Sequence, residues 1–149
     1  MDLFEQISAD IKSAMLAREK VRLQALRNVK KYFIEAKTAP GANDTLTDDA
    51  ALKIIQKLVK QGKDSAVIYA GQNRPDLAEE ELGQVSVLET YLPKQFSAEE
   101  LENELKTIIA SVGASGPKDM GKVMGIATKA LSGKAEGRAI SEAVKRLLT

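Results

Sequence analysis

Leu92-Pro93-Lys94-Gln95-Phe96-Ser97-Ala98-Glu99-Glu100 is the stretch on which the fold turns. Pro93 lacks a backbone N–H and disfavours helical geometry in the residue before it, so a helix arriving from the N-terminal side stops there. Ser97 stands three positions before Glu100, the spacing of a capping box. In that motif the serine oxygen and the glutamate carboxylate each take up an orphan amide at a helix start. One helix therefore ends, Pro93–Phe96 links, and another begins at about residue 98. The stretch predicts two helical domains, residues 1–95 and 96–149.

Upstream, apolar residues recur at helical spacing. Asp2 can cap a first helix to about Ala17 that carries Leu3, Ile7, Ile11, Ala14 and Met15. A second, from about Lys20 to Ala36, carries Val21, Leu23, Leu26, Val29, Phe33 and Ile34. Between them Arg18-Glu19 offers neither glycine nor proline, so one bent helix is an equal reading. Residues 38–45 are turn formers. Thr47-Asp48-Asp49 caps a third helix bearing Leu52, Ile55, Leu58, Val59 and Ala66, which ends near Ala70. Pro75 and Asp76 start a fourth, with Leu77, Leu82, Val85, Val87 and Leu88, reaching Leu92.

Downstream, helices are predicted over about 98–111, 118–131 and 138–148, with Gly113–Pro117 as a turn. Val67-Ile68-Tyr69 and Ser86-Val87-Leu88 are too short for strands and sit inside helical periodicity. The expected fold is all-α: a four-helix N-terminal domain and a compact three-helix C-terminal domain.

Composition narrows the chemistry. Aromatic residues make up 4% of the 149-residue chain and tryptophan is absent, so the core is built of aliphatic side chains, which suits packed helices. There is no cysteine and no histidine. That removes thiolate chemistry, Ser-His-Asp triads and the usual zinc sites. No apolar run approaches the roughly 20 residues that span a bilayer. The acidic N-terminus Met1-Asp2-Leu3-Phe4-Glu5 lacks the shape of a signal peptide, and the expectation is a cytoplasmic protein without membrane association. No cofactor and no metal site is expected. Glu79-Glu80-Glu81 point about 100° apart on a helix and do not converge.

The net charge of +1 is unevenly spread. Residues 1–37 carry eight bases and five acids, residues 76–104 one base and nine acids, and residues 118–149 seven bases and three acids. Two basic ends flank an acidic waist, a pattern able to orient on a charged partner. On the second helix, Arg27, Lys30 and Lys31 share a face, either a solvated face or a second contact strip for a polyanion.

The C-terminal segment holds the sharpest motif, Lys118-Asp119-Met120-Gly121-Lys122-Val123-Met124-Gly125, then Gly133-Lys134-Ala135-Glu136-Gly137-Arg138. A glycine inside a helix costs about 1 kcal/mol relative to alanine, so Gly121 and Gly125 ask for a reason. Two are open: tight packing on a neighbouring helix, or close approach of an outside backbone. Gly133 and Gly137 admit the same two readings, and Gly133 also suits a helix C-terminus. Lys118, Lys122, Lys129, Lys134 and Arg138 are the candidate phosphate contacts, while Met120, Val123, Ile126 and Ala127 are expected in the core. No catalytic residue emerges.

These motifs, with Leu26-Arg27-Asn28-Val29-Lys30, Lys60-Gln61-Gly62-Lys63-Asp64-Ser65 and Leu88-Glu89-Thr90-Tyr91-Leu92-Pro93-Lys94-Gln95, resemble the YqeY family over nearly the whole chain. Its members are free-standing relatives of the C-terminal tail of GatB, the B subunit of the tRNA-dependent amidotransferase. The resemblance implies a tRNA-contacting tail, a link to translation and, through the shared tail, a carbon–nitrogen ligase association with glutamine as amido donor. This chain shows no P-loop and no amidase-type Ser/Lys signature, so the expectation is an accessory protein without autonomous activity that binds tRNA or another structured RNA. Two alternatives remain: an adaptor that docks on an aminoacyl-tRNA synthetase or amidotransferase, and an enzyme that acts on aminoacyl-tRNA through carboxylates and lysines. Tyr91 is expected to wedge between the domains.

Overall fold

Where the sequence offers a capping residue, the helix starts there. In the computed structural model, which describes residues 2–149, the Asp2 carboxylate accepts from the Glu5 N–H at 2.8 Å and opens α1 (Leu3–Ala17). Thr47 Oγ1 accepts from the Ala50 N–H at 3.2 Å and opens α3 (Asp48–Gly71). Ser97 Oγ accepts from the Glu100 N–H at 3.1 Å, and Glu100 Oε1 accepts from the Ser97 N–H at 3.2 Å, so the capping box of α5 (Ala98–Val112) is complete. Hydrogen bonding to Ser97 holds the Glu100 carboxyl below the usual glutamate range. Each such cap contributes about 1 kcal/mol. The remaining helices are α2 (Lys20–Thr38), α4 (Pro75–Glu89), α6 (Met120–Ala130) and α7 (Gly137–Leu148), with a 3-10 turn over Pro117–Asp119. Among the described residues no strand occurs, and both segments rejected as strands lie inside helices.

α1 and α2 are separate helices. Arg18 adopts left-handed backbone geometry at φ 58°, its N–H donates to Met15 C=O, and the Glu19 N–H reaches back to Ala14 C=O. This is the paired closure usually entrusted to glycine, and an arginine there leaves no compositional mark. α4 ends at Glu89, short of the expected Leu92, because Thr90, Tyr91 and Leu92 continue only in tight turns.

Contacts divide the chain into two compact units after Leu92. The division precedes the sequence-based boundary after residue 95 because Pro93–Phe96 is tied to later residues. Phe96 N–H donates to Lys134 C=O at 3.0 Å and Gln95 Nε2 to Gly133 C=O at 2.6 Å.

In the first unit, α1–α4 enclose Ile7, Leu26, Val29, Phe33, Ile55, Val59, Val85 and Leu88. In the second, α5, α6 and α7 enclose Leu101, Leu105, Val123, Ala127, Leu131, Ile140 and Val144. Several residues counted as apolar-stripe members face solvent instead: Met15, Val21, Ile34, Leu82 and Ile126 are all exposed. Each sits beside the buried stripe rather than on it. Ile126 precedes buried Ala127 by one residue and so is turned about 100° from it, which corrects its assignment to the core.

Tyr91 packs within the first unit. Its hydroxyl donates to Asp10 Oδ2 at 2.5 Å, which ties the turn after α4 back to α1. Arg22 of α2 lies 4.0 Å from the other Asp10 oxygen. Burial, then the Asp10 carboxylate, pushes the Tyr91 hydroxyl well above the ordinary tyrosine value of 10.0.

Two glycines are placed by packing. A Cβ on Gly62 of α3 would stand 2.5 Å from Val85 Cγ2 of α4, and one on Gly83 would stand 3.3 Å from Val21 Cγ1. Val85 is β-branched and buried, so it cannot swing aside. Gly62→Ala should therefore destabilise the first unit by about 1–3 kcal/mol through overpacking, despite alanine's better helix propensity; urea unfolding reads the change. Tyr91→Phe tests the tether. A group protonated more firmly in the folded chain stabilises it below the unfolded pKa and loses that contribution as pH rises. The wild type should lose stability above pH 10.0 more steeply than Tyr91→Phe, and parallel alkaline limbs would show that the tether contributes nothing.

Candidate nucleic-acid interface

The glycine–lysine motif begins in a loop that is fixed before the helix starts. Asp119 Oδ2 accepts from the Ser115 N–H at 3.0 Å, and the Asp119 N–H donates to Gly116 C=O at 3.0 Å. With its carboxylate spent on the loop, Asp119 makes no side-chain cap on α6. Pro117 occupies the first position of the 3-10 turn, where its missing N–H costs nothing.

α6 then presents two faces. Val123 and Ala127 are buried, and Met120 and Met124 are half-buried against the same cluster. Gly121, Lys122, Gly125 and Lys129 are exposed. At 100° per residue the four share an arc of about 100° opposite the buried stripe. A Cβ added to Gly121 or to Gly125 would meet nothing within 4 Å. Close helix packing therefore does not account for either residue, because among the described residues nothing approaches them closely enough to need a missing side chain. What remains is a strip of bare helix backbone, open to solvent and edged by two ammonium groups. Among the described residues, neither Lys122 nor Lys129 has a carboxylate within 4.0 Å.

The other candidates sit differently. Lys118 is exposed on the 3-10 turn just before α6, and it too has no carboxylate partner among the described residues. Gly133 is buried at φ 77° in the turn after α6, where a side chain would be strained. Around it Leu131 C=O accepts from the Lys134 N–H at 2.9 Å and from the Ala135 N–H at 3.3 Å. Lys134 thus has its backbone locked on both sides while its side chain stays exposed. Gly137 opens α7, exposed, and a Cβ there would meet nothing. Arg138 spends its guanidinium on Glu142, Nε to Oε1 at 3.1 Å, an exposed i,i+4 pair. The geometry gathers Gly121, Lys122, Gly125 and Lys129 on one face of one helix, with Lys118 at its start. Lys134 and Arg138 belong to the following turn and helix, and Arg138 is partly neutralised.

Sequence reasoning missed the packing role of Gly62 and left packing open as one of two readings for Gly121 and Gly125. No local signal separates them: Gly62 is flanked by Lys60 and Lys63 much as Gly121 is by Lys118 and Lys122. Among the described residues no group of three or more acidic side chains converges on a metal position. No described helix is long and apolar enough to cross a membrane.

These features define an all-helical protein whose second unit carries an open glycine–lysine face. A family model described as Yqey-like protein matches residues 4–148, and the chain belongs to that family, in agreement with the resemblance carried by its motifs. Among curated proteins it is similar to "Altered inheritance of mitochondria protein 41, mitochondrial" of Pyrenophora tritici-repentis, 28% identical over 132 residues, 87% of this chain and 71% of that protein. The protein of the same name in Kluyveromyces lactis is 30% identical over 120 residues, 78% of this chain and 64% of that one. The Meyerozyma guilliermondii protein is 31% identical over 124 residues, 80% and 64%. The chain therefore spans about two thirds of the length of these relatives. Their names carry the word mitochondrial, which overturns the expectation of a cytoplasmic protein drawn from the N-terminus.

An open helical glycine gains from a side chain. Gly125→Ala should stabilise the second unit by about 0.5–1 kcal/mol, since the methyl meets nothing and the unfolded chain loses freedom. Thermal unfolding of the variant measures this, and its sign should be opposite to that of Gly62→Ala.

Proposed function

We propose that this chain is a non-catalytic RNA-binding accessory protein, that tRNA is its ligand, and that it acts alongside tRNA-dependent amidation rather than performing it. The observation that carries this reading is the uncovered Gly121–Gly125 strip with Lys122 and Lys129 along one side. In a protein helix, side chains keep a polyanion's backbone several ångströms from the helix axis. Where two successive turns lack them, a sugar–phosphate chain lies directly against the helix, and ammonium groups beside the strip meet its phosphates. Lys118 extends the positive charge toward the start of α6.

Binding of this kind is led by charge and by the shape of the RNA, not by base edges, since it relies on phosphate contacts. The link to amidation rests on the resemblance to the GatB tail, and the contact with tRNA is the part of that resemblance the α6 face supports.

Charge and shape are separable by mutation. Lys122→Ala with Lys129→Ala should weaken tRNA binding and flatten the plot of log K against log salt by about two units, close to one per lost phosphate contact. Both side chains are exposed, so the melting temperature should hardly change. Gly121→Leu with Gly125→Leu leaves the charge intact and fills the strip; it should weaken tRNA binding while raising helix stability. Filter binding across a salt series measures both, and wild-type affinity in the leucine variant would remove close backbone approach from the reading.

A further inference from the structure

Between α2, α3 and α4 of the first unit lies a groove that the proposed function does not use. It holds two adjoining cavities, of about 160 and about 520 Å³, which share Tyr32, Leu58 and Gln61. The larger falls within the range of about 300–1,000 Å³ typical of small-molecule sites. We propose that this groove binds an unpaired nucleobase whose Watson–Crick edge sets an exocyclic amine beside an unprotonated ring nitrogen, adenine or cytosine. The inference goes beyond the α6 face and does not depend on it.

Helical spacing builds the site. Asn28, Tyr32 and Glu35 line up at i, i+4 and i+7 on α2, and Lys57, Gln61 and Ser65 follow at i, i+4 and i+8 on α3. α4 contributes Glu81 and Gln84. The floor is apolar, formed by Leu58, Val85 and Leu88, all buried. A side chain at Gly62 would collide with Val85 there, so the floor stays where it is.

The chemistry of the lining selects the ligand. An apolar floor and one phenol ring suit a flat, polarizable ring system, and bases stack on such rings whatever their identity. Among the described residues, the side chains of Asn28, Tyr32, Gln61, Ser65 and Gln84 make no hydrogen bond within the protein, so their donors and acceptors are available to a ligand. An amide presents a donor and an acceptor side by side, which matches the amino group and adjacent ring nitrogen of adenine or cytosine. Glu35 and Glu81 accept only, and so favour an amine over the O4 carbonyl of uracil. Phosphate charge is met at the rim. Lys57 lines the larger cavity, and the Lys31 ammonium stands 5.5 Å from the Tyr32 ring centroid. Arg27, beside Asn28, is exposed and has no carboxylate within 4.0 Å among the described residues.

The same chemistry is offered by a free nucleotide and by a splayed base of an RNA strand. The test uses the full chain with labelled oligoadenylate, oligocytidylate and oligouridylate of about ten nucleotides, a length near one single-strand site, read by fluorescence anisotropy. AMP and CMP are titrated in parallel by NMR. Oligoadenylate and oligocytidylate should bind at least about fivefold more tightly than oligouridylate. Tyr32→Ala should weaken oligoadenylate about tenfold through lost stacking, and Tyr32→Phe should restore it. Gln61→Leu, a change at an exposed position, should narrow the preference for adenine over uracil, and it stands in if Tyr32→Ala disturbs the helical spectrum. Shifts at Asn28, Tyr32 and Gln61 with AMP or CMP alone would identify a free nucleotide as ligand; shifts only with oligonucleotides would identify a strand. The oligonucleotide series is repeated in Lys122→Ala with Lys129→Ala, where α6 no longer adds base-independent phosphate binding, and the preference for adenine and cytosine over uracil should be at least as large there as in the wild type. Equal binding of all three oligonucleotides, no binding of any probe, or unaltered affinity in a folded Tyr32→Ala chain would overturn the proposal.

Discussion

α3 and α4 meet at Gly62 more closely than any side chain permits. A methyl there would lie 2.5 Å from Val85 Cγ2, well inside van der Waals contact. The rest of the first unit is arranged around that approach. It seats Val85 and Leu88 in the same cluster as Phe33, Ile55 and Leu58. It also fixes the floor of the groove that α2, α3 and α4 share. With no tryptophan and few aromatics to fill gaps, an aliphatic core reaches close packing by bringing backbones together, and glycine is the residue that allows it.

The same residue type does the opposite in the second unit. Gly121 and Gly125 leave a helix surface uncovered, and no described residue comes within 4 Å of a Cβ there. Both situations cost the helix conformational entropy, yet only in the first unit, at Gly62 and Gly83, does internal packing offset the cost. A cost without an internal return, beside lysines that lack carboxylate partners among the described residues, is the ground on which the proposed RNA contact rests. Gly133 is a third case. Its positive φ turns the chain so that Gly133 and Lys134 carbonyls receive Gln95 and Phe96. That turn is why Pro93–Phe96 belongs with the residues that follow it.

Charge is organised at the level of whole faces more than of pairs. The ion pairs present are exposed or nearly so, and such pairs contribute little to stability. The basic residues of α2 and α6 are largely left without acidic partners among the described residues. Three lysines of α2 lie over aromatic rings instead, Lys37 and Lys30 over Phe4 at 4.0 and 5.7 Å and Lys31 over Tyr32 at 5.5 Å.

The sequence by itself determined the helices, since periodicity and caps are local. Thr47, Ser97 with Glu100, Pro75 and Pro93 act through bonds to neighbours a few residues away, so their effect is readable without knowing the fold. The motifs that carry the family are equally local in the chain. The α1–α2 junction was readable in position, between Ala17 and Lys20, but not as a break rather than a bend, because Arg18 closes α1 in a geometry its side chain does not advertise. Nor was the division of roles among the glycines. Whether a missing side chain makes room for Val85 or for solvent depends on which helix lies opposite, and that is settled only when the helices pack. Tertiary structure likewise decided that Tyr91 reaches Asp10, that Ile126 faces outward, and that Asn28, Tyr32 and Gln61, drawn from two helices, line one groove. Burial and contact are properties of pairs distant in sequence, and no local pattern encodes the partner.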